Sequence, residues 1–370
     1  MRIYWYWPNA HATVNKLALA TLRPGDSLTV QALSALHGKP FGPIEEYEVI
    51  RDLPDPRGDR SNLSRVLPRG LYNQIGRSQA RRRFIARGLE RADIAHLEHL
   101  VYRTDWLDVP TLARHLPLVS MVHDVRPHRR TLPPRVEYGM LRRLYQHAGH
   151  LVVYHRVLRD ELLNDFPIEP ERVHVIPHPL DATSRRDLQR SVPDTPYLLF
   201  FGTLRPNKGI DVLLQAYELA RGQGFDLVVA GGGDRDLETT LRKAGTGRQD
   251  LRIEIGRIPE ERKHALMSSA SALVLPYTSF HSQSGVLADA YSYRLPIVVT
   301  DVGALGPTVR DDGTGLVVPP NDAEAFAAAM SSVVLDPDPA WPHRIDAAAQ
   351  QHDVSSVGPK LRQIYDVATA

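Results

Sequence analysis

Residues 197–209 read Tyr-Leu-Leu-Phe-Phe-Gly-Thr-Leu-Arg-Pro-Asn-Lys-Gly and give the strongest indication of how the chain folds. The apolar and aromatic run 197–201 predicts a buried strand, which Gly202 ends. An amphipathic helix is predicted next, because apolar side chains recur with the spacing i, i+3, i+4 and i+7 at Ile210, Leu213, Leu214 and Tyr217.

The turn after this strand has the features of a phosphate-binding site. Gly202 lets the backbone approach a ligand closely, Arg205 can hold a phosphate with two parallel N–H bonds, and Lys208 adds a second charge. The helix that follows supplies oriented N–H groups. A diphosphate could be held here without a metal ion. The alternative is an ordinary strand-to-helix turn with solvated cations, since most such turns bind nothing.

Four more short apolar strands alternate with helical stretches in the second half, at 226–230, 252–256, 272–276 and 296–300. This alternation predicts an α/β structure with a parallel, doubly wound sheet. Ligands on such sheets bind beyond the carboxyl ends of the strands. The segments expected to line one cleft at that end are Gly202, Gly231, Arg257 and the residues after Pro276.

Five segments match a known pattern in both order and spacing: 201–209, 230–234, 276–277 with 282–287, 294–303 and 312–320. Together they resemble the retaining, GT-B-fold glycosyltransferases of family 4, which use nucleotide-sugar donors. The resemblance covers nearly all of the chain after about His123 and is close from Phe200 to Pro320. Any one segment is a weak signal, whereas the ordered set is specific.

The resemblance implies GT-B architecture, in which two doubly wound, Rossmann-like domains face a central cleft. We expect an N-terminal acceptor-binding domain at residues 1–180, a linker at 181–196 and a nucleotide-sugar-binding domain at 197–342. The C-terminal helix, in residues 343–370, is expected to cross back and pack on the N-terminal domain.

The chain departs from the family pattern at two places. Arginine commonly follows the first glycine of the phosphate turn, but Thr203 stands here and Arg205 is expected to replace it. The E-x7-E motif falls on His281 and Asp289. Asp289 can still accept hydrogen bonds from ribose hydroxyls, whereas His281 replaces a glutamate beside the donor sugar. The Ser-Gln-Ser-Gly segment at 282–285 suggests a subgroup of the family.

The donor contacts are expected in the loops of the second half. Ser282 or Ser284 should cap the helix that begins at Gly285 and leave free N–H groups for a phosphate, although this segment can also be read as a plain helix start. The nucleotide base of the donor should contact backbone groups near residue 257. The complete expected set is Gly202, Thr203, Gly231, Arg257, Ile258, His281, Ser284, Gly285, Val286, Leu287 and Asp289.

A strand at 118–122 runs into His123 and Asp124, and His123 resembles the acceptor-domain histidine of the family. The implied reaction moves a glycosyl group from a nucleoside diphosphate to an acceptor hydroxyl with the anomeric configuration kept. Arg205 and Lys208 would stabilise the departing diphosphate, so the expected catalytic residues are Arg205, Lys208 and His123. The alternative for the His-Asp pair is that it only ties down a loop.

No cofactor is expected, and the resemblance implies that the donor substrate is a UDP-, GDP- or other NDP-sugar. No metal site is expected either. Two D-x-D patterns, at 234–236 and 336–338, read as a helix start and a proline loop. The chain contains no cysteine, which excludes disulfides and thiolate chemistry.

Two other functions fit the same architecture. The loss of both motif glutamates, at His281 and Asp289, is compatible with a catalytically silent scaffold protein that binds nucleotide sugars. A UDP-sugar 2-epimerase of the GT-B fold would instead change the donor without any acceptor.

The net charge of +2 hides a basic stretch at 60–91, which holds nine arginines and one acid, Glu90. The stretch from Arg60 to Arg91 could contact an anionic membrane or an anionic acceptor, or could be the solvated face of a helix. Nucleic acid is not expected, because no aromatic stacking platform accompanies the arginines. We expect a glycan, glycolipid or small-molecule acceptor.

The chain shows neither the apolar core of a signal peptide near residue 1 nor an apolar run of the ~18 residues that a membrane span needs. We therefore expect a cytoplasmic protein, and the basic stretch would place it at the inner face of the membrane.

Overall fold

The computed structural model describes residues 1–7, 12–32, 48–51, 86, 92–100, 102–127, 132–181, 193–280 and 284–370. These residues divide into two compact units. The first unit comprises Met1–Pro179 and Val354–Ala370, and the second comprises Leu180–Asp353. Each unit is built on one parallel sheet, which confirms the predicted α/β class.

The sheet of the first unit has seven strands: β1 (Arg2–Trp7), β2 (Ser27–Ala32), β3 (Glu48–Arg51), β4 (Ile94–Leu97), β5 (Leu118–Met121), β6 (His150–Val153) and β7 (Val173–Val175). Their order is β3-β2-β1-β4-β5-β6-β7, and every neighbouring pair is parallel. The helices described in this part of the chain are α1 (Ala12–Ala20), α2 (Tyr102–Leu112), α3 (Pro134–His147) and α4 (Arg156–Asp165).

The sheet of the second unit has six strands: β8 (Tyr197–Phe201), β9 (Asp226–Gly231), β10 (Leu251–Ile255), β11 (Ala272–Leu275), β12 (Ile297–Thr300) and β13 (Gly315–Val318). Their order is β10-β9-β8-β11-β12-β13, again all parallel. The helices are α5 (Ile210–Leu219), α6 (Arg235–Gly245), α7 (Glu260–Ser269), α8 (Gly285–Ser292), α9 (Leu305–Asp312), α10 (Ala323–Leu335) and α11 (Trp341–His352).

The order of the second sheet follows from its apolar strands. Strands β8 and β11 lie at the centre of the sheet, and their residues 198–200 and 272–275 are buried completely. Strands buried on both faces need crossover connections, because parallel neighbours cannot be joined by a tight turn. All six strands therefore point the same way, and the loops that leave their carboxyl ends lie along one edge.

The last helix, α12 (Val354–Thr369), belongs to the first unit. Its buried side chains Val357, Leu361 and Tyr365 join the core that contains Trp5. A Cβ atom on Gly358 would lie 2.5 Å from the carbonyl oxygen of Ala20, so a residue without a side chain is needed where this helix crosses α1.

The division between the units falls after Asp353, whereas the sequence placed it at 342/343. The reason is the packing of α11: its side chains Trp341, Ile345 and Ala348 are buried in the core of the second unit. Residues 182–192 of the expected linker lie outside the described residues.

A buried ion pair fixes α12 to the first unit. The Arg362 guanidinium hydrogen-bonds the Asp26 carboxylate, and the two side chains are only 8% and 4% exposed. Burial acts to raise the pKa of Asp26, but hydrogen bonds from the N-terminal ammonium, the Arg23 N–H and Arg362 hold that pKa at about 2. The Asp26 carboxylate is therefore ionised at neutral and mildly acidic pH.

We expect Arg362→Met to lower the free energy of unfolding by about 3 kcal/mol at pH 7, because it removes one partner of a buried pair. Since the pKa of Asp26 is depressed, the contribution is present above pH ~4 and is lost as the pH falls towards 2. Urea denaturation at both ends of this range measures it. Arg2→Met is the control, because Arg2 and Asp93 are 61% and 40% exposed and such pairs contribute at most about 1 kcal/mol. Equal losses in the two variants would contradict the assignment.

Candidate active site

Glycines at the ends of β8 and β9 bring two loops of the second unit into contact. Gly202 has φ +136° and donates its N–H to the carbonyl of Ala230 at 3.0 Å, while Gly231 has φ +150°. A Cβ atom on Gly231 would lie 1.8 Å from the carbonyl oxygen of Gly202. Only glycine at 231 permits this approach, because any side chain would collide with backbone.

The loop after β10 continues the same backbone surface. A Cβ atom on Gly232 would lie 2.9 Å from the Cα of Gly256, and the Leu204 N–H donates to the Gly232 carbonyl at 3.2 Å. The Asp234 N–H donates back to the Leu204 carbonyl at 3.0 Å. The predicted meeting of these loops at the carboxyl edge of the sheet is therefore observed for β8, β9 and β10.

The turn with the two cations is held rigidly against the loop after β11. Pro206–Lys208 forms one turn of 3-10 helix, which ends at Gly209 with φ +66°. A Cβ atom on Gly209 would lie 1.8 Å from the carbonyl oxygen of Pro276. The Asn207 side chain donates to the Ser279 carbonyl at 3.0 Å. These contacts fix the place of the turn before any ligand binds.

Lys208 lies over two aromatic rings, a contact that was not predicted from the sequence. Its Nζ is 3.5 Å from the ring centroid of Tyr277 and 4.5 Å from that of Phe280. Burial lowers the pKa of Lys208 to about 7, and the nearby Arg205 charge acts in the same direction. The ring faces oppose this effect, because their negative faces attract a cation. Among the described residues, no carboxylate pairs with Lys208 or with the exposed Arg205.

The helix α8 begins beside these loops. Ser284 precedes it, but its side chain makes no cap hydrogen bond and lies 3.4 Å from the Tyr277 hydroxyl instead. The expected cap by Ser284 is therefore wrong, and Ser282 lies outside the described residues. A Cβ atom on Gly202 would be 3.5 Å from Cγ2 of Val286, which places the first turn of α8 against the loop after β8.

Asp289 forms an ion pair with Lys263 of α7, which was not predicted from the sequence. The Lys263 Nζ is 2.8 Å from Oδ1 of Asp289, and the side chains are 15% and 22% exposed. The same Nζ lies 5.7 Å from the ring centroid of Phe201, the last residue of β8. The carboxylate expected to hold a ribose is thus neutralised and lies near the end of that strand.

The remaining predicted residues are placed less uniformly. The Leu287 side chain is 3% exposed within the core, so only its backbone could face a ligand. Thr203 and Arg257 are exposed, Gly285 is exposed, and Ile258 packs partly against the core. His281 lies outside the described residues.

His123 follows β5 in the first unit, as predicted. Its Nε2 lies 2.8 Å from the carbonyl oxygen of Glu98, a buried residue that the sequence reading did not single out. His123 also lines a cavity of about 210 Å³ with His99, Asp124 and Tyr145.

The structure bears on the expectations about metals and membranes. Asp234 caps α6 by accepting hydrogen bonds from the N–H groups of Asp236 at 3.0 Å and Leu237 at 3.3 Å, so the first D-x-D pattern is a helix start. Within the described ranges, no three His, Cys, Asp or Glu side chains form a group that could hold a metal ion.

No helix in the described part of the chain is long and apolar enough to cross a membrane. The basic stretch 60–91 lies outside the described residues, apart from Ala86.

Two family models match the chain. The model described as Glycosyl transferases group 1 matches residues 195–336, and the model described as Glycosyltransferase Family 4 matches residues 40–184. Together the two matches cover most of the 370 residues.

Two relatives illustrate the range of similarity. The chain is 27% identical over 274 residues to the alpha-D-kanosaminyltransferase of Streptomyces kanamyceticus, which covers 68% of this chain and 70% of that protein. It is 30% identical over 155 residues to the D-rhamnosyltransferase WbpZ of Pseudomonas aeruginosa. The second match covers 41% of this chain and 40% of that protein, so the chain spans less than half the length of this relative.

Solved structures share the fold over almost the whole chain. Sucrose-phosphate synthase from Thermosynechococcus elongatus has a TM-score of 0.73 at 18% identity, covering 99% of this chain and 98% of that chain. Anabaena HepE in complex with UDP has a TM-score of 0.72 at 14% identity, covering 99% and 100%. At such low identity the likeness shows the fold alone.

The two family models and the relatives support a glycosyltransferase of the group 1 and family 4 type. The fold of the chain is GT-B, as the family resemblance implied.

We expect Gly231→Ala to disrupt the site, because the new Cβ would collide with the backbone of Gly202. The melting temperature should therefore fall by more than in a control variant without such a collision. Gly222→Ala is the matched control: φ is +81° there, but nothing lies within 4 Å of the added Cβ. That variant should lose only about 1 kcal/mol of stability. Equal falls in melting temperature for the two variants would rule out the collision.

Proposed function

We propose that this chain transfers a sugar from a nucleoside-diphosphate sugar to an acceptor hydroxyl, with retention of the anomeric configuration and without a metal ion. The observation that supports it most is the pair of cations, Arg205 and Lys208, beside the glycine loops of the second unit; no carboxylate among the described residues pairs with either. The matching family models agree with this proposal, as do relatives named for kanosaminyl and rhamnosyl transfer and the UDP bound to Anabaena HepE.

The donor would lie across the carboxyl edge of the second sheet. Backbone at Gly202 and Gly231 is bare enough for a diphosphate to approach, and the uncapped N–H groups of α8 provide further donors. Asp289 would accept hydrogen bonds from the ribose hydroxyls, and its ion pair with Lys263 would hold this carboxylate in place. The nucleotide base of the donor would contact backbone groups at Arg257 and Ile258.

The chemical step needs charge stabilisation more than a base. The bond between the anomeric carbon and the diphosphate oxygen breaks, and both its electrons leave with the diphosphate. Lys208 and Arg205 neutralise this developing charge, which lowers the barrier because they are already in place. The acceptor oxygen bonds the anomeric carbon on the face from which the diphosphate leaves, and its proton passes to the departing phosphate oxygen. These two cations would therefore stabilise the departing diphosphate in place of a metal ion.

His123 and the cavity beside it would serve the acceptor. His123 and Asp124 are among the residues that line it, and imidazole and carboxylate groups are suited to binding hydroxyl groups. We propose a glycan, glycolipid or small-molecule acceptor, and therefore a role in glycoconjugate or glycosylated natural-product biosynthesis.

A panel of UDP-, GDP- and dTDP-sugars tests the proposal, with and without acceptors and with EDTA present. Nucleoside diphosphate released only with acceptor, together with an α-to-α or β-to-β product, supports it. A donor altered without acceptor would instead show the epimerase considered above. Tight UDP binding with no turnover on any acceptor would indicate the silent scaffold protein. If no nucleotide binds at millimolar concentration, the proposal is wrong.

Lys208→Met should lower kcat by about 10²–10³, the loss seen when one preorganised charge stabiliser is removed from an active site. The effect on donor KM should be smaller, because the charge develops mainly in the transition state. Steady-state kinetics measure both. Lys243→Met provides the control, because Lys243 is an exposed lysine in the last turn of α6. A Lys208→Met enzyme as active as this control would remove Lys208 from the mechanism.

Diphosphate binding should also depend on pH. The pKa of Lys208 is about 7 without ligand, and a bound diphosphate raises it because opposite charges favour the ammonium form. Binding above pH 7 must therefore take up a proton, so UDP affinity should fall as the pH rises from 7 to 9, by up to tenfold per unit. Calorimetry in buffers of different ionisation enthalpy detects the proton. Lys208→Met should abolish the slope, and an equally steep slope in that variant would assign the proton to another group.

A further inference from the structure

A buried row of hydrogen bonds lies behind His123 within the first unit. The Tyr365 hydroxyl of α12 is 2.9 Å from Nδ1 of His96, and Nε2 of His96 is 3.0 Å from Oε2 of Glu98. Nε2 of His123 is 2.8 Å from the Glu98 carbonyl oxygen and 3.4 Å from its Oε1. The first three residues are at most 1% exposed, whereas the His123 side chain is 31% exposed. The row therefore links the last helix to one accessible imidazole ring.

The proton positions in this row follow from what each atom can do. A carboxylate only accepts, so Nε2 of His96 must carry the proton that it donates to Glu98. Burial lowers the pKa of His96, so the ring is neutral and its Nδ1 accepts from the Tyr365 hydroxyl. Burial also raises the pKa of Tyr365 far above its usual value, which keeps that hydroxyl a donor. His96 thus orients the Glu98 carboxylate without changing its charge.

The same reasoning fixes His123. Both atoms that face its Nε2, the carbonyl oxygen and Oε1 of Glu98, are acceptors, so Nε2 must be protonated. Burial acts to raise the pKa of Glu98, but its hydrogen bonds with His123 and His96 hold the value at about 2. Nδ1 is then the ring nitrogen that Glu98 leaves open.

Other groups near His123 act on its charge more weakly. Burial lowers the pKa of His123, but Glu98 raises it through hydrogen bonds and charge, and Asp124 adds to the increase, so the net direction is upward. Two rings complete the surroundings: His99 at 5.5 Å and Tyr154 at 5.3 Å between centroids. Among the charged groups near His123, the Glu98 carboxylate beside Nε2 therefore has the largest effect on its pKa.

We propose that Glu98 is the positioning residue of His123: held by His96 and Tyr365, it keeps the imidazole protonated at Nε2 and favours the charged form of the ring, in which Nδ1–H is also offered to substrate. In that form His123 is a hydrogen-bond donor and not a base. The substrate group it meets rests on the proposed function, but the charge and the tautomer do not.

Long-range ¹H–¹⁵N NMR of the wild-type protein tests the charge directly and needs no substrate. We expect His123 to keep a proton on Nε2 and to titrate with a midpoint above the usual value of about 6.5. We expect His96 to stay neutral between pH 5 and 8. A His123 that is protonated only on Nδ1, or that titrates at or below ~6.5, would overturn the proposal.

Glu98→Gln tests the carboxylate, because the amide keeps its shape and removes its charge. The His123 midpoint should fall by about one unit or more, since an adjacent opposite charge shifts a pKa by 1–3 units. If protonated His123 is the active form, kcat at pH 7 should fall and its loss at high pH should begin at lower pH, while donor KM changes little. Glu137→Gln is the control: Glu137 is a buried carboxylate of the same unit that hydrogen-bonds Tyr102. It should leave the His123 midpoint in place.

An unchanged His123 midpoint in Glu98→Gln would refute the positioning role, whatever the activity. Tyr365→Phe gives a milder check if Glu98→Gln does not fold: removing one hydroxyl should shift the midpoint in the same direction by a smaller amount, and no shift counts against the row. A protein that lacks transferase activity but shows the midpoint shift would refute the proposed function and leave this role intact.

Discussion

The close approach of the Gly202 and Gly231 backbones is the constraint on which the second unit's site depends. It brings the loops after neighbouring strands together without intervening side chains, so a ligand can reach main-chain N–H groups. The cationic turn is positioned by a similar approach, between Gly209 and Pro276. The site is therefore built from backbone that is rigid before binding, which reduces the entropy lost when a flexible diphosphate is held.

Charges in the two units are handled differently. In the second unit, Lys208 lies over aromatic rings and pairs with no carboxylate among the described residues, which costs stability in the empty protein and leaves the charge available to a ligand. Lys263 is instead matched by Asp289. In the first unit, Glu98 is surrounded by two imidazoles. Unpaired charge is concentrated where an anion is expected to bind, and the charges nearby are matched within the protein.

The sequence predicted the α/β class, the strands of the second sheet and the convergence of the glycine loops, because apolar runs and glycine turns are local signals. It could not predict Lys263 or Glu98, since their partners lie on other elements and a single charged residue has no periodic pattern. The cap at Ser284 failed because its hydroxyl instead lies near Tyr277, a contact set by packing. The sequence placed the end of the second domain at residue 342, whereas Ile345 and Ala348 of α11 are buried in the core of the second unit, a contact that the local pattern of apolar residues does not specify.

The first unit is discontinuous, since α12 completes a core whose other parts precede residue 180. Until α12 has been synthesised, the core around Trp5 lacks the side chains of Val357, Leu361 and Tyr365 that pack against it. The second unit, by contrast, is contiguous and can close on its own during synthesis. The second unit can therefore complete its fold before the first unit does, although most of the first unit is translated earlier. A nascent chain that stalls before α12 would expose the first unit to chaperones and proteases.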